Sequence, residues 1–492
     1  MKVLHVASEV APYSKTGGLA DVAAGLPSAL SDLGIQVKVL SPLYACVRKA
    51  APDLGSVKRR LRLSSRQGEL EARLYHHRIR PGLSFHFVER DEFYDRSHLY
   101  GTSVGDYFDN ADRFLFLNHA ALQACRAVRF RPDIIHCHDW QTGLIPALMK
   151  SAQMRDPYWR KARTVFTIHN LAYQGIFPPE YMTLSGLPPE LFHFEGLEFY
   201  GFMNFLKGGI VCSDRITTVS PRYAREILTP EFGHGLDGAL LRHKARLSGI
   251  LNGVDYTDWN PASDPHIERR YTPRDLSGKS VCKRDLLSRF GLSDRPEIPV
   301  IGMVTRLAEQ KGLDLLVEAA GDIAGIGMRM IILGRGDERY EIAVKSLARR
   351  FPGRIAVRLD FDPVLAHKIE AGADLFLMPS RFEPCGLNQM YSLKYGTIPI
   401  VHAVGGLDDT IKAFDPETGK GNGFKFASYS VPALVGEVRR AAKLFRRRDQ
   451  WERMIGNAMR ADFSWIKPAR RFLRLYEHAL SSPPSPLPAV RH

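Results

Sequence analysis

No apolar run in the sequence approaches the roughly 18–20 residues that a membrane-spanning helix needs, and no Cys-x-x-Cys pair occurs among the six cysteines, Cys46, Cys125, Cys137, Cys212, Cys282 and Cys385. The first absence excludes a helical membrane protein. The second excludes a zinc ribbon, and scattered thiols fit a reducing cytoplasm better than a disulfide framework. Internal repeats are missing too. The opening residues Met1–Glu9 lack the long apolar core of a signal peptide, being interrupted by His5 and Glu9, and read as a first strand. Acidic residues are in deficit, 53 against 68 basic ones, for a formal charge of +15. A nucleic-acid role therefore has to be weighed. The densest basic stretches, Lys58–Arg66 and Arg439–Arg448, hold a single aromatic between them, Phe445, and so do not interleave aromatics for base stacking. They read as solvated faces on a surface that also attracts anionic small molecules, with no specific nucleic acid implied.

What is present is the composition of a soluble globular chain, 45% hydrophobic and 25% charged over 492 residues, long enough for two or three domains. Short apolar runs recur, each followed by a helical pattern. The first half predicts strands at Lys2–Ser8, Ile35–Leu40, Leu83–Val88, Asp133–Cys137, Thr164–His169 and Arg215–Val219. The second half predicts them at Val300–Thr305, Met328–Leu333, Ile355–Leu359, Asp374–Met378 and Ile398–His402. Most are continuously apolar, as parallel strands covered on both faces require. After the first strand, Leu19, Val22, Leu26, Leu30 and Leu33 share one helical face and Gly34 ends the helix. Two blocks of strand–helix units predict two doubly wound α/β domains. Turn chemistry at Gly249 and Asn252-Gly253 puts the junction near Leu247–Asn260. The expected division is residues 1–247, residues 248–461, a last helix over 462–480, and a Pro/Ser-rich disordered tail, 481–492.

Chemically rich residues gather after predicted strands, where open parallel sheets bind ligands. Ser14–Asp21 follows the first strand: Gly17-Gly18 allows close backbone approach, Lys15 adds a cation, and the helix start favours an anion. Its spacing matches neither a dinucleotide fingerprint nor a Walker loop, and a plain turn with a solvated lysine explains it equally well. His136 and His138 alternate onto one face, but further ligands at metal spacing are not evident, so no metal is expected. Asp139 lies just past that strand, placed to accept from a sugar hydroxyl, and His169 ends another strand, where a structural role is equally open. In the second half Arg306 and Lys311 flank a strand–helix turn and could present two cations to one diphosphate. Glu383 precedes Pro384, which reads as the start of a helix, and Gly405-Gly406 follows a further strand with backbone N–H groups to offer.

Taken together, these motifs resemble those of bacterial glycogen synthases and plant starch synthases. The resemblance rests on Lys15-Thr16-Gly17-Gly18-Leu19-Ala20-Asp21, His138-Asp139-Trp140, and Thr167-Ile168-His169-Asn170 through Gly175. It continues in Asn204–Lys207, Ile250–Asp255, Arg306-Leu307 with Gln310-Lys311-Gly312, Arg381–Leu387, and Asp462–Trp465. It implies a GT-B fold, two Rossmann-like domains with an interdomain cleft and a last helix returning to the first domain. It implies transfer of glucose from ADP-glucose to the non-reducing end of an α-1,4-glucan, with retention and without metal or other cofactor. By the same likeness, Lys15 and Gly18 contact the donor phosphates, Asp21 the ribose, and Arg306 and Lys311 the departing diphosphate. Asn252, Asp139, His169 and Glu383 surround the glucose, and the backbone at Cys385, Gly386 and Leu387 faces it. Phe361 stands where some relatives carry a tyrosine near the adenine, Arg335 where small residues are common, and Tyr391 where the wider pattern often has a second glutamate. UDP-glucose is the alternative donor. A glucan phosphorylase is a further alternative, but the lysine context for its pyridoxal phosphate is not evident.

Overall fold

In the computed structural model, residues 1–51, 53–65, 68–102, 105–153 and 156–489 are described. The chain divides into two units, Met1–Gly253 with Trp465–His492, and Val254–Ser464.

The first unit is built on a ten-stranded sheet. Its parallel part runs Leu83–Glu89, Gln36–Pro42, Lys2–Val6, Ile134–His138, Arg163–Ile168, Arg215–Thr218, Leu247–Gly249. Numbered along the chain, that order is third, second, first, fourth, fifth, sixth, seventh. The strand direction of travel reverses between the first strand and the fourth, and the loops after these two strands flank that switch point. All six strands expected in this half are present, displaced by one or two residues at their ends. Leu247–Gly249 is an additional parallel strand, so the first unit continues past residue 247 to Gly253.

Beyond Leu83–Glu89 the sheet turns antiparallel, with Gly68–Arg80 pairing that strand and, on its other edge, Gly55–Ser56 and Leu61–Ser65. These strands were not anticipated, because their apolar residues alternate with charged ones and so read as a solvated basic stretch. Within that stretch, Arg60 donates to Glu71; Arg66 lies outside the described residues. The helix Gly18–Asp32 buries Leu19, Ala20, Val22, Ala23, Leu26 and Leu30, and Gly34, at φ +82°, turns the chain into the next strand. The last helix, Ile466–Ser481, buries Ala469, Phe472, Tyr476 and Ala479 against the first unit's sheet. Beyond it, Arg163 donates to the Ser482 carbonyl, Arg215 to the Ser482 hydroxyl, and the Ser485 N–H to Asp214.

The second unit carries a six-stranded parallel sheet in the order Ile355–Arg358, Arg329–Leu333, Val300–Val304, Leu375–Met378, Ile398–His402, Phe424–Phe426. Along the chain this is third, second, first, fourth, fifth, sixth, the doubly wound arrangement that binds ligands at the reversal. Its core packs Ile301, Met303, Leu316, Ile331, Leu377 and Ile400 around that sheet. Among the described residues no helix is long and apolar enough to cross a membrane.

Candidate active site

At the first unit's switch point, the chain leaves the first strand through a loop that Glu9 holds from inside. The buried Glu9 carboxylate accepts from the backbone N–H of Thr16 at 2.6 Å and from its hydroxyl at 2.8 Å. Burial raises its carboxyl to about 7, against the lowering effect of those bonds. The loop so anchored exposes Lys15, Thr16, Gly17 and Gly18, and Gly17 caps the helix Gly18–Asp32 with no side-chain hydrogen bond. Its first N–H groups are thus left to a ligand or to solvent. Lys15 Nζ pairs with Asp21 Oδ1 at 2.6 Å, bringing together two residues that the sequence placed on the phosphates and the ribose. An ammonium carries three N–H donors, so this pair occupies only part of its capacity. Glu9 was missed in the sequence because its partner is brought back by loop closure, seven residues on.

Across the switch point, Asp139 follows the fourth strand with φ +56°, a conformation rare for a residue with a Cβ and strained in backbone terms. Its Oδ1 accepts from the His169 N–H at 2.7 Å, tying the end of the fourth strand to the end of the fifth. Burial pushes its carboxyl up to about 7. Trp140 packs edge-on against Phe114 at 5.0 Å, and Gly175, at φ +63°, leaves no room for a Cβ over the indole. Asn252 is buried just after the seventh strand.

Behind this edge lies a stack of imidazoles. His5 and His136 are register partners, and the His136 and His138 rings stack 4.2 Å apart. The ring nitrogens of His5, His136 and His138 include a set within 4.8 Å of one another, a spacing that could hold a metal ion. Each nitrogen of His136 and of His138 is, however, already in a hydrogen bond within the protein. His136 meets the Tyr476 hydroxyl at 2.7 Å and the Thr167 hydroxyl at 2.6 Å. His138 meets His5 and His169, each at 3.0 Å.

At the second unit's switch point, the first strand ends at Val304 and leads to Arg306, which is exposed, and to a single 3-10 turn, Glu309–Lys311. Gly312, at φ +72°, then starts the helix Leu313–Gly325; a Cβ there would meet the Pro379 carbonyl at 2.0 Å. That contact holds the turn against the segment after the fourth strand. There Glu383, 5% exposed, accepts from Lys311 Nζ at 2.6 Å and from the Ser380 hydroxyl at 3.0 Å.

Two local expectations are corrected here. Pro384 does not open a helix: the helix begins at Asn388, because Gly386 at φ +66° turns the chain first, so Glu383 is a loop residue held by a cation rather than a helix N-terminal acid. Gly405-Gly406 is buried, not exposed. The Gly406 N–H donates to the Glu383 carbonyl at 3.1 Å, and a Cβ on Gly405 would stand 1.9 Å from that oxygen. These glycines therefore fix the Glu383 backbone. Cys385 is buried, Gly386 and Leu387 are partly so, and the Gln389 side chain donates to the Cys385 and Gly386 carbonyls. Phe361 is 79% exposed past the third strand.

Strand-end cations beside a held carboxylate are suited to a reaction in which a diphosphate leaves a sugar, the former taking negative charge and the latter positive. Comparison with known proteins agrees. Residues 2–242 match the starch synthase catalytic domain model, and residues 288–458 match glycosyl transferases group 1. A glycogen synthase of Anaeromyxobacter sp. (strain Fw109-5) is 50% identical over 485 residues, covering 98% of this chain and 100% of the relative. One from Koribacter versatilis is 45% identical over 97% of this chain and 98% of its own length. Among solved structures, the catalytic domain of starch synthase IV from Arabidopsis thaliana, bound to ADP and acarbose, superposes with a TM-score of 0.90 at 33% identity, covering 98% of this chain and 99% of that one. The GT-B architecture expected from the sequence is that of this neighbour. The strand-end residues described above thus belong to a glycosyltransferase, and the chain belongs to the glycogen and starch synthase family.

Proposed function

We propose that this enzyme transfers glucose from ADP-glucose to the non-reducing end of an α-1,4-glucan, with retention at the anomeric carbon. The observation that carries the reading is the Lys311–Glu383 pair at the second unit's switch point, with Arg306 following the same strand as Lys311. Lys311 and Arg306 stabilise the charge that builds on the departing diphosphate. Lys311 has further N–H donors, so it serves a phosphate oxygen while still holding Glu383. Glu383, kept in place by Lys311, Ser380 and the glycines behind it, orients the sugar and stabilises its positive charge. The bond from the anomeric carbon to the phosphate oxygen breaks and one to the acceptor's 4-oxygen forms on the same face. The acceptor proton passes to the departing phosphate. Lys15 and Gly18 act on the donor phosphates, Asp21 on the ribose, Asn252, Asp139 and His169 on the glucose, and Phe361 beside the base. The backbone at Cys385–Leu387 faces the glucose.

The ADP held by the starch synthase IV structure supports an adenine donor over a uridine one. Six free cysteines support a place in the reducing cytoplasm. The test is incorporation of labelled glucose into glycogen from ADP-glucose and UDP-glucose in parallel. Incorporation is expected from ADP-glucose; a preference for UDP-glucose would overturn the donor assignment. Glucose 1-phosphate released from glycogen by orthophosphate alone would favour a phosphorylase.

A further inference from the structure

The imidazole stack of the first unit ends at a residue assigned to the sugar, and its hydrogen bonds have a direction that can be worked out. His138 lies on the fourth strand with both ring nitrogens engaged. Its Nε2 is 3.0 Å from His5 Nδ1, and its Nδ1 is 3.0 Å from His169 Nε2. His136 stacks on the ring at 4.2 Å, and His5 lies nearly coplanar with it across their hydrogen bond, 17° apart in plane. Burial keeps all four imidazoles neutral: His5 and His169 are lowered to about 3, and His136 and His138 well below the usual range.

A neutral imidazole has one N–H and one lone pair. His138 must therefore donate to one neighbour and accept from the other, and both bonds of the chain run the same way. Two arrangements satisfy this. They differ in what is left at the buried end, where His5 Nε2 has no hydrogen-bond partner among the described residues. In one it carries an N–H with no acceptor; in the other it carries a lone pair. A buried N–H without an acceptor is the rarer and costlier state. The second arrangement is therefore favoured: His5 Nδ1–H donates to His138 Nε2, and His138 Nδ1–H donates to His169 Nε2.

From this geometry we infer that His138 is a positioning residue that holds His169 in the tautomer with its proton on Nδ1, so that His169 offers the transferred sugar a hydrogen-bond donor rather than an acceptor. The inference rests on the proposed assignment of His169 to the glucose. His169 is the partly exposed end of the chain, and its Nδ1 is the nitrogen that the stack leaves available. His5, at the other end of the hydrogen-bonded chain, would then set the polarity of the bond to the sugar through His138.

The direct test is the nitrogen-15 spectrum of the full chain labelled at histidine, with the His169 signals assigned by their loss in His169→Asn. A protonated Nδ1 and an unprotonated Nε2 on His169 are expected; the reverse overturns the inference whatever the activity. His138→Asn keeps an amide N–H close to the original Nδ1, whereas His138→Leu removes the donor. The asparagine variant is expected to keep most transfer from ADP-glucose, and the leucine variant to lose kcat about tenfold with a smaller change in KM. Equal losses in the two, with melting temperatures matched, would reduce His138 to packing and overturn its positioning role. If the tautomer is as stated but His169→Ala transfers glucose normally, the assignment of His169 to the sugar fails instead. The two failures are therefore distinguishable.

Discussion

The two sheets reverse direction at the same place in their strand order, yet their switch points hold carboxylates in opposite ways. In the first unit Glu9 and Asp139 are buried and take hydrogen bonds from uncharged donors, Thr16 and the His169 backbone. Burial therefore prevails, and both carboxyls rise to about 7. In the second unit Glu383 is equally buried but meets an ammonium at 2.6 Å. The carboxyls of the first unit change charge near neutral pH; that of the second stands against an ammonium. Topology decides where a ligand-facing residue stands, and the partner at 3 Å decides what that residue is electrically.

The comparison breaks most visibly at Glu383. Glu383→Ala is expected to keep ADP-glucose binding and to lose transfer to glycogen by about 10³-fold; near-normal turnover would remove Glu383 from the sugar site. Lys311→Met should lower kcat by about 10²-fold and also lower the melting temperature, because a buried carboxylate is left without its cation. Adding Glu383→Gln to that variant should recover the melting temperature without the activity. If the double variant melts no higher than Lys311→Met, the pair does not act as described.

The contrast sharpens with pH. A carboxyl raised from 3.8 to about 7 is protonated as the pH falls through 7, so the acid limb of kcat/KM is expected near that value. Asp139→Asn should lower activity about tenfold and flatten that limb. The stability sign is the opposite of an ion-paired acid. Between the unfolded value and about 7 the folded state binds the extra proton, so the contribution of Asp139 and of Glu9 to stability falls as pH rises through that window. Denaturation midpoints measured from pH 5 to 8 check this, and each Asn or Gln replacement should reduce the slope. The smallest effect is expected at Lys15, which is 42% exposed and already paired with Asp21. Lys15→Ala should raise the KM for ADP-glucose several-fold with kcat little changed; an unaltered KM would take it off the phosphates.

By itself the amino-acid sequence determined the fold class and the addresses. Continuous apolar runs separated by helical stripes require buried parallel strands, and every strand anticipated from such a run is present. The residues following those runs, Lys15, Asp139, His169, Arg306, Lys311 and Glu383, could therefore be placed at the sheets' carboxyl ends before any contact was known. What the sequence concealed were partnerships between loops far apart in number. Glu9 reaches Thr16 only because the loop closes, and Glu383 becomes the partner of Lys311, 72 residues away, only because the first and fourth strands are neighbours. Gly386 at positive φ, which keeps Pro384 from starting a helix, is a matter of backbone conformation that glycine permits without requiring. The antiparallel strands of residues 55–80 escaped notice because a sheet edge with one solvated face alternates charge and apolarity as a surface stretch does. Periodicity is a local property and is written in the chain; the charge state and tautomer of a buried group depend on what stands within hydrogen-bonding distance, and only the tertiary structure decides that.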